Sequence, residues 1–282
     1  MNDVIDIDHL RSWIGREDDA TDGVGLDLAR KYHATFDFSG PPPAEGETVP
    51  RLIHFWLAQP AAPTERLGQD GHPERGGFLP PVPLPRRMWA GGEITFHGDL
   101  RVGDAMTRRS RIADVVLKEG RTGPLCFVTV EHRVEARGSL ILEERQDIVY
   151  RGLDAPGGSA KAQPKAGQGT HSRAMKVEPP LLFRYSALTF NAHRIHYDRR
   201  YTTDVEGYPG LVVHGPLQAA LLYYHAADIL GAPPKRFAFR GLSPLFDDDS
   251  FSLNATAEGG GLKLWTAKQD GPVCMSAEAS SG

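Results

Sequence analysis

Between Tyr185 and Pro216 the chain gathers three histidines, His193, His196 and His214, with Asn191, Asp198, Asp204 and Glu206. Histidine exchanges protons near neutral pH, so acid–base chemistry is the first expectation for this segment. Directly after His214 come Gly215 and Pro216, then a run that is apolar nearly all round. The amino end of a buried helix presents unpaired N–H groups and the positive end of its dipole. Proline has no N–H, so the donors there are those of Gly215, Leu217 and Gln218, and glycine lets a ligand approach the backbone closely. Such an end suits a carbonyl oxygen that gains negative charge during a reaction. Two other readings use the same residues. His193, His196 and His214 offer three nitrogens to a metal ion, though no glutamate stands where a water-activating base is expected. They could equally be loop residues around one satisfied core histidine. The apolar helix directly behind His214 favours a site.

The elements that must hold this segment can be read around it. Pro216 at the first helical position and Gly231 past the end delimit a helix over 216–230, in which only Gln218, His225 and Asp228 are strongly polar. A helix so apolar must be wrapped by other structure. Strands are predicted at 236–246, 250–258, 261–269 and 272–279 behind it, and at 93–97, 107–118, 124–136 and 139–151 in the first half. Cys126, Val128, Val130, His132 and Val134 alternate with Phe127, Thr129, Glu131 and Arg133, the period of antiparallel strands. Residues 3–35 read as helical, 52–57 as one or two helical turns, and the proline-rich 59–87 as a covering segment. Residues 152–176 read as a linker with little to bury, leaving halves at 1–151 and 177–282. Each half runs helical material, then antiparallel strands. Phe96-His97-Gly98-Asp99-Leu100 with Asp104 also echoes Phe239-Arg240-Gly241-Leu242 with Asp247. The expectation is an α+β fold of duplicated architecture. Asp247-Asp248-Asp249 reads as a solvated turn rather than a ligand cluster.

Composition narrows the function. The 282 residues carry a net charge of −4, are 40% hydrophobic, and include 31 glycines and 22 prolines, so turns are many. The mixed, mildly acidic charge leaves no footprint for nucleic acid, and no apolar stretch is long enough to cross a membrane. The acidic start and two lone cysteines, Cys126 and Cys274, point to a reducing cytoplasm.

Leu188-Thr189-Phe190-Asn191-Ala192-His193-Arg194-Ile195-His196-Tyr197-Asp198, followed by Glu206-Gly207-Tyr208-Pro209-Gly210-Leu211-Val212-Val213-His214-Gly215-Pro216, resembles the hydratase motif of MaoC-like hot-dog proteins. Gly71-His72-Pro73-Glu74-Arg75-Gly76-Gly77-Phe78 and Met88-Trp89-Ala90-Gly91-Gly92 are similar to the same branch, that of type 2 3-hydroxyacyl-thioester dehydratases and mesaconyl-CoA and itaconyl-CoA hydratases. The resemblance implies a double hot dog, with two long helices each wrapped by an antiparallel sheet. The first half would shape the acyl tunnel without catalytic residues. It implies addition of water to an enoyl-CoA thioester with no metal or redox cofactor, His196 as the acid–base group, and Gly215 N–H on the thioester oxygen. Asn191 stands where many relatives have aspartate, so it could only orient water, and Asp198 becomes a candidate partner for His196. His193 and His214 are supporting candidates, and Arg86, Arg87 and Arg194 are candidates for the CoA phosphates. A homodimer through an exposed sheet edge is also expected. Thioester hydrolysis and non-catalytic acyl binding are the rival readings of the same fold.

Overall fold

The computed structural model describes residues 5–120, 123–152 and 163–282. The chain opens with helix α1 (Ile7–Arg11), strand β1 (Glu17–Gly23) and helix α2 (Leu26–Thr35). The helical reading of 3–35 is therefore corrected in its middle. Glu17–Gly23 has only Ala20 half-buried and no apolar alternation, and it is extended because it pairs with Thr107, Arg108, Arg109 and Arg111. A 3-10 turn at Ile53–Trp56 follows, buried throughout, in agreement with the helical turns expected at 52–57. Four long strands come next, β2 (Arg86–Phe96), β3 (Ala105–Gly120), β4 (Gly123–Ala136) and β5 (Ser139–Arg151).

The second half repeats the order. Strand β6 (His171–Lys176) and helix α3 (Pro179–Leu188) lead, then α4 (Arg199–Asp204) and α5 (Gly215–Leu230). Strands β7 (Arg236–Gly241), β8 (Ser250–Glu258), β9 (Gly261–Lys268) and β10 (Val273–Ser280) complete it. The linker reading of 152–176 thus does not extend to His171–Lys176, a polar edge strand fixed by pairing with β8 rather than by burial. The part of that linker at 153–162 lies outside the described residues. The strand expected over 236–246 ends at Gly241, and Leu242–Asp249 turns away.

The ten strands among the described residues form one antiparallel sheet in the order β1-β3-β4-β5-β2-β7-β10-β9-β8-β6, which reads the same from either edge with β2 and β7 at the seam. At that seam the backbones come so close that only glycine fits. A Cβ on Gly91 would stand 2.5 Å from the Phe239 carbonyl oxygen of β7, and on the opposite side of β2 one on Gly92 would stand 2.4 Å from the Arg145 carbonyl oxygen of β5. The sequence echo is real but its partner residue is not Asp247. Asp104 accepts the Arg101 N–H at 2.7 Å, and Asp249 accepts the Phe246 N–H at 2.8 Å, so the two turns match through Asp104 and Asp249. Asp247 is buried instead, where its Oδ1 accepts the Leu211 N–H at 2.9 Å and its other oxygen pairs with Arg199.

Of the helices among the described residues α5 is the longest, with sixteen residues against ten in α2. Helix α5 starts with Pro216 in its first turn and stops at Gly231 in the left-handed region (φ 69°). Its buried Gln218 is satisfied by the Thr266 hydroxyl at 2.9 Å. In the first half the sheet face is covered differently. Phe78, Leu79, Val82 and Leu84 of the proline-rich segment pack on Ile112, Val115, Cys126, Val128, Val130 and Tyr150. Proline fixes extended backbone and removes donors, so such a segment can lie on apolar side chains without orphaning N–H groups. A single larger core joins the halves, for α2 packs on α5 through Tyr32 and Tyr224, whose hydroxyls meet at 2.7 Å.

Candidate active site

Helix α3 ends in a Schellman closure that aims the next residues. Phe190 takes the left-handed conformation (φ 51°), its N–H reaching Ala187 O at 3.3 Å, while the Asn191 N–H donates to Ser186 O at 2.8 Å. Asn191 Oδ1 in turn accepts the His193 N–H at 3.0 Å. A 3-10 turn, Arg194–His196, then swings His196 inward to 7% exposure. Residues 211–213 run alongside, held by the Val212 N–H to Ile195 O at 2.9 Å and the Val213 N–H to Leu245 O at 2.8 Å.

The His196 tautomer is set by geometry. Its Nδ1 lies 2.7 Å from the Val212 carbonyl oxygen, which only accepts, so Nδ1 carries the proton and Nε2 holds the free pair. Burial pushes its pKa down to about 4, against the Val212 hydrogen bond and together with the field of His72. The ring stacks on His214 with centroids 3.7 Å apart and planes at 18°. His214 shares a 2.8 Å hydrogen bond between Nε2 and Ser186 Oγ, and burial holds its pKa well below the usual value. On the other side His193 meets His196 edge-on at 5.3 Å, and the His72 ring lies 4.0 Å from His193. Four imidazoles thus form one row, three from the second half and one from the first.

His72 and Asp70 were not anticipated as site residues; the first half was expected to hold no catalytic group. The signal available was the glycine-histidine-proline run at 71–73, but its position beside His193 depends on tertiary structure. Asp70 Oδ2 is 2.9 Å from His72 Nδ1, and its Oδ1 accepts the His72 N–H at 3.0 Å. The loop is clamped to the second half, since Asp70 O accepts the Arg194 N–H at 2.8 Å and Gln69 O accepts Arg194 Nη1 at 3.1 Å. Gly71 (φ 87°) makes this possible, because a Cβ there would fall 1.8 Å from Ala192 O. Gly71→Ala is expected to destabilise the protein by about 1–3 kcal/mol and to depress activity with it. An unchanged thermal midpoint and kcat in that variant would show that the clamp is dispensable.

Two expectations are corrected. Asp198 does not face His196. It caps α4 by accepting the Tyr201 N–H at 3.0 Å and pairs with Arg194 at 2.7 Å, both of which lower its pKa. Arg194 is engaged by that pair, by Gln69 O and by the Tyr201 ring 4.0 Å away, so its donors are largely committed within the fold. Arg86 is likewise paired with Glu206 at 3.1 Å in a largely buried position. Arg87 is different. It has no carboxylate partner among the described residues, and its charge lowers the pKa of His72, of His193 and of Tyr150.

Gly215 opens α5 beside Trp89, whose ring would lie 3.3 Å from a Cβ at that position. The Gln218 N–H is already donated to His214 O at 3.1 Å, so the donors expected at this end reduce to Gly215 and Leu217. The three-histidine metal set is not assembled: His196 and His214 stack face to face, and Nδ1 of one and Nε2 of the other are hydrogen bonded. Among the described residues the grouping nearest to metal spacing is Asp70, His72 and His193, with donor atoms within 4.8 Å of one another. There the Asp70 carboxylate is joined to His72 by one hydrogen bond to the imidazole and one from the backbone N–H.

Comparison with known proteins gives the family and the fold. Residues 52–247 match the family described as hydroxyacyl-thioester dehydratase type 2. The chain is 44% identical over 273 residues to mesaconyl-C(4)-CoA hydratase of Chloroflexus aurantiacus, covering 96% of this chain and 97% of that one. It is 28% identical over 245 residues to the mitochondrial hydroxyacyl-thioester dehydratase type 2 of Schizosaccharomyces pombe, covering 75% of this chain and 78% of that one. The crystal structure of a MaoC-like dehydratase from Phytophthora capsici shares the fold, with a TM-score of 0.69, 16% identity, and 98% of each chain covered. No helix among the described residues is long and apolar enough to cross a membrane. On these grounds the chain belongs to the type 2 hydroxyacyl-thioester dehydratase family, hydro-lyases built on the MaoC-like double hot dog.

Proposed function

We propose that the protein reversibly hydrates a short, branched C5 dicarboxylic enoyl-CoA, of the mesaconyl-CoA type, without metal or redox cofactor and in the cytoplasm. The observation that carries this is His196, a buried neutral ring whose Nδ1–H is held by Val212 O, leaving Nε2 with its lone pair, and which stacks on His214, the residue that precedes Gly215. In this reading the Gly215 N–H polarises the thioester carbonyl, and His196 Nε2 takes a proton from water. Oxygen then bonds to the β carbon and the α carbon gains a proton. Asn191 Oδ1 is engaged by the His193 N–H, so its amide group is the part left to orient the water. Likeness to the Chloroflexus hydratase favours the dicarboxylic acyl group. So does Arg87, a guanidinium whose charge reaches His193 and His72 and which has no carboxylate partner among the described residues, so that it could meet a distal substrate carboxylate.

A panel of enoyl-CoA thioesters, followed by loss of the conjugated double bond, tests the assignment. Mesaconyl-CoA is expected to be turned over with the highest kcat/KM. Arg87→Met is expected to raise KM for it by about 10-fold or more while leaving crotonyl-CoA, which lacks the carboxylate, little changed. The family match supports a second reading, dehydration of a longer 3-hydroxyacyl chain on CoA or acyl carrier protein. Preference for such chains over mesaconyl-CoA would establish it, and release of free CoA would point to hydrolysis instead.

A further inference from the structure

Hydration of an enoyl thioester moves two protons, one off water and one onto the α carbon. The amide of Asn191 takes no proton at neutral pH, so in the reading given above His196 is the one group of the second half assigned to proton transfer. The four rings in the row differ in one respect. His196 faces a carbonyl oxygen, His214 a hydroxyl, and His193 other rings, so none of the three is hydrogen bonded to a carboxylate among the described residues. Only His72 faces a carboxylate, with Asp70 Oδ2 at 2.9 Å from its Nδ1. Asp70 is in turn held ionised by the side-chain and backbone N–H groups of His72.

We propose that Asp70 and His72 of the first half form a catalytic dyad, with His72 as the second proton-transfer group of the hydration reaction. The proposal rests on the acyl-hydratase reading given above. Nδ1–H points at Asp70, which leaves Nε2 as the working atom; it has no partner among the described residues, and the His72 side chain keeps 20% of its surface exposed. As water adds, an O–H bond breaks and its proton passes to His196 Nε2. The oxygen bonds to the β carbon, the π pair forms a C–H bond at the α carbon, and the proton for it comes from the imidazolium of His72. Solvent then returns a proton to His72 and takes one from His196, so the cycle adds one water and nothing else. Burial, with Arg87 and Arg75, outweighs the pull of Asp70 and lowers the His72 pKa, so the cation is the minority form that solvent protonation supplies between turnovers. The clamp of Gly71 and Arg194 fixes this ring against His193 across the two halves. That accuracy is what proton transfer needs and what a tunnel wall does not.

The test measures kcat and KM on the best enoyl-CoA for the wild type and for His72→Gln, His72→Ala, Asp70→Asn and His196→Ala. His72→Gln is expected to lose about 10²-fold in kcat with KM little changed, and Asp70→Asn a smaller part of that. Added imidazole is expected to restore turnover to His72→Ala, which it would not do for a purely structural residue. A kcat in His72→Gln within twofold of the wild type would overturn the dyad while leaving His196 in place. So would a stoichiometric metal ion whose removal by chelator abolishes activity. Failure of the wild type on every enoyl-CoA, or full activity in His196→Ala, would instead remove the reading on which the dyad rests.

Discussion

Replacing His196 with alanine is expected to lower kcat for enoyl-thioester hydration by about 10²–10⁴-fold, with KM shifted only a few-fold. The direction follows from the ring's setting. Val212 O holds Nδ1–H at 2.7 Å, so Nε2 is a lone-pair acceptor without any prior deprotonation. A pKa near 4 makes it a weak base toward water, however. Much of the barrier must then be lowered by fixed geometry and by the N–H at the start of α5, and the loss on removing His196 should show in kcat. Alanine also opens space beside His214, so His196→Gln is the companion variant. It keeps bulk and hydrogen bonding, but neither amide atom takes a proton at neutral pH. Wild-type turnover in either variant, measured spectrophotometrically at saturating substrate, would end the assignment of His196.

Lowering the pH from 7.5 to 5.5 is expected to destabilise the protein by about 3–4 kcal/mol through three rings of the row. His193, His196 and His214 all have folded-state pKa values below the ordinary histidine value, with burial as the first cause. In the unfolded chain they bind protons below about pH 6.5, and in the folded chain they do not. Stability is therefore present above that pH and falls as the pH drops from there toward the folded values, which for His196 is about 4. Each ring contributes about 1.4 kcal/mol per pH unit in that window, a large share of a typical total. Urea unfolding at the two pH values reads this directly. Equal midpoints, or a higher one at pH 5.5, would show that the rings are not held neutral.

What the sequence revealed follows what each element relies on. Helix α5 was legible because burial on all sides leaves an unbroken apolar run between a proline and a glycine. Strand β4 was legible because Cys126, Val128 and Val130 are buried alternately with more exposed neighbours. Strands β1 and β6 were not, because they are polar edges whose shape comes from a neighbour's hydrogen bonds. The second-half site showed in its motif, since the turn, the cap and the ring all lie within one short segment. Asp198 could have been read better: Asp before Arg199 is a cap, and Arg194 lies one turn back. Asp70 and His72 could not be placed by spacing, because a loop from the other half brings them to His193.

The mirrored strand order has a consequence for how the chain tolerates being divided. The halves share one core and meet along β2 and β7, so neither has a complete interior of its own. Expressed as separate polypeptides ending at Gly152 and resuming after residue 162, they would behave as the two subunits of an obligate heterodimer. One fragment would bring Asp70 and His72, the other Asn191, His196 and Gly215. Joining them in one chain replaces that bimolecular encounter with an internal one, at the high effective concentration of a short tether. Two copies of the protein damaged in opposite halves could then complement each other only by exchanging fragments, since an intact row of rings needs one undamaged half of each kind.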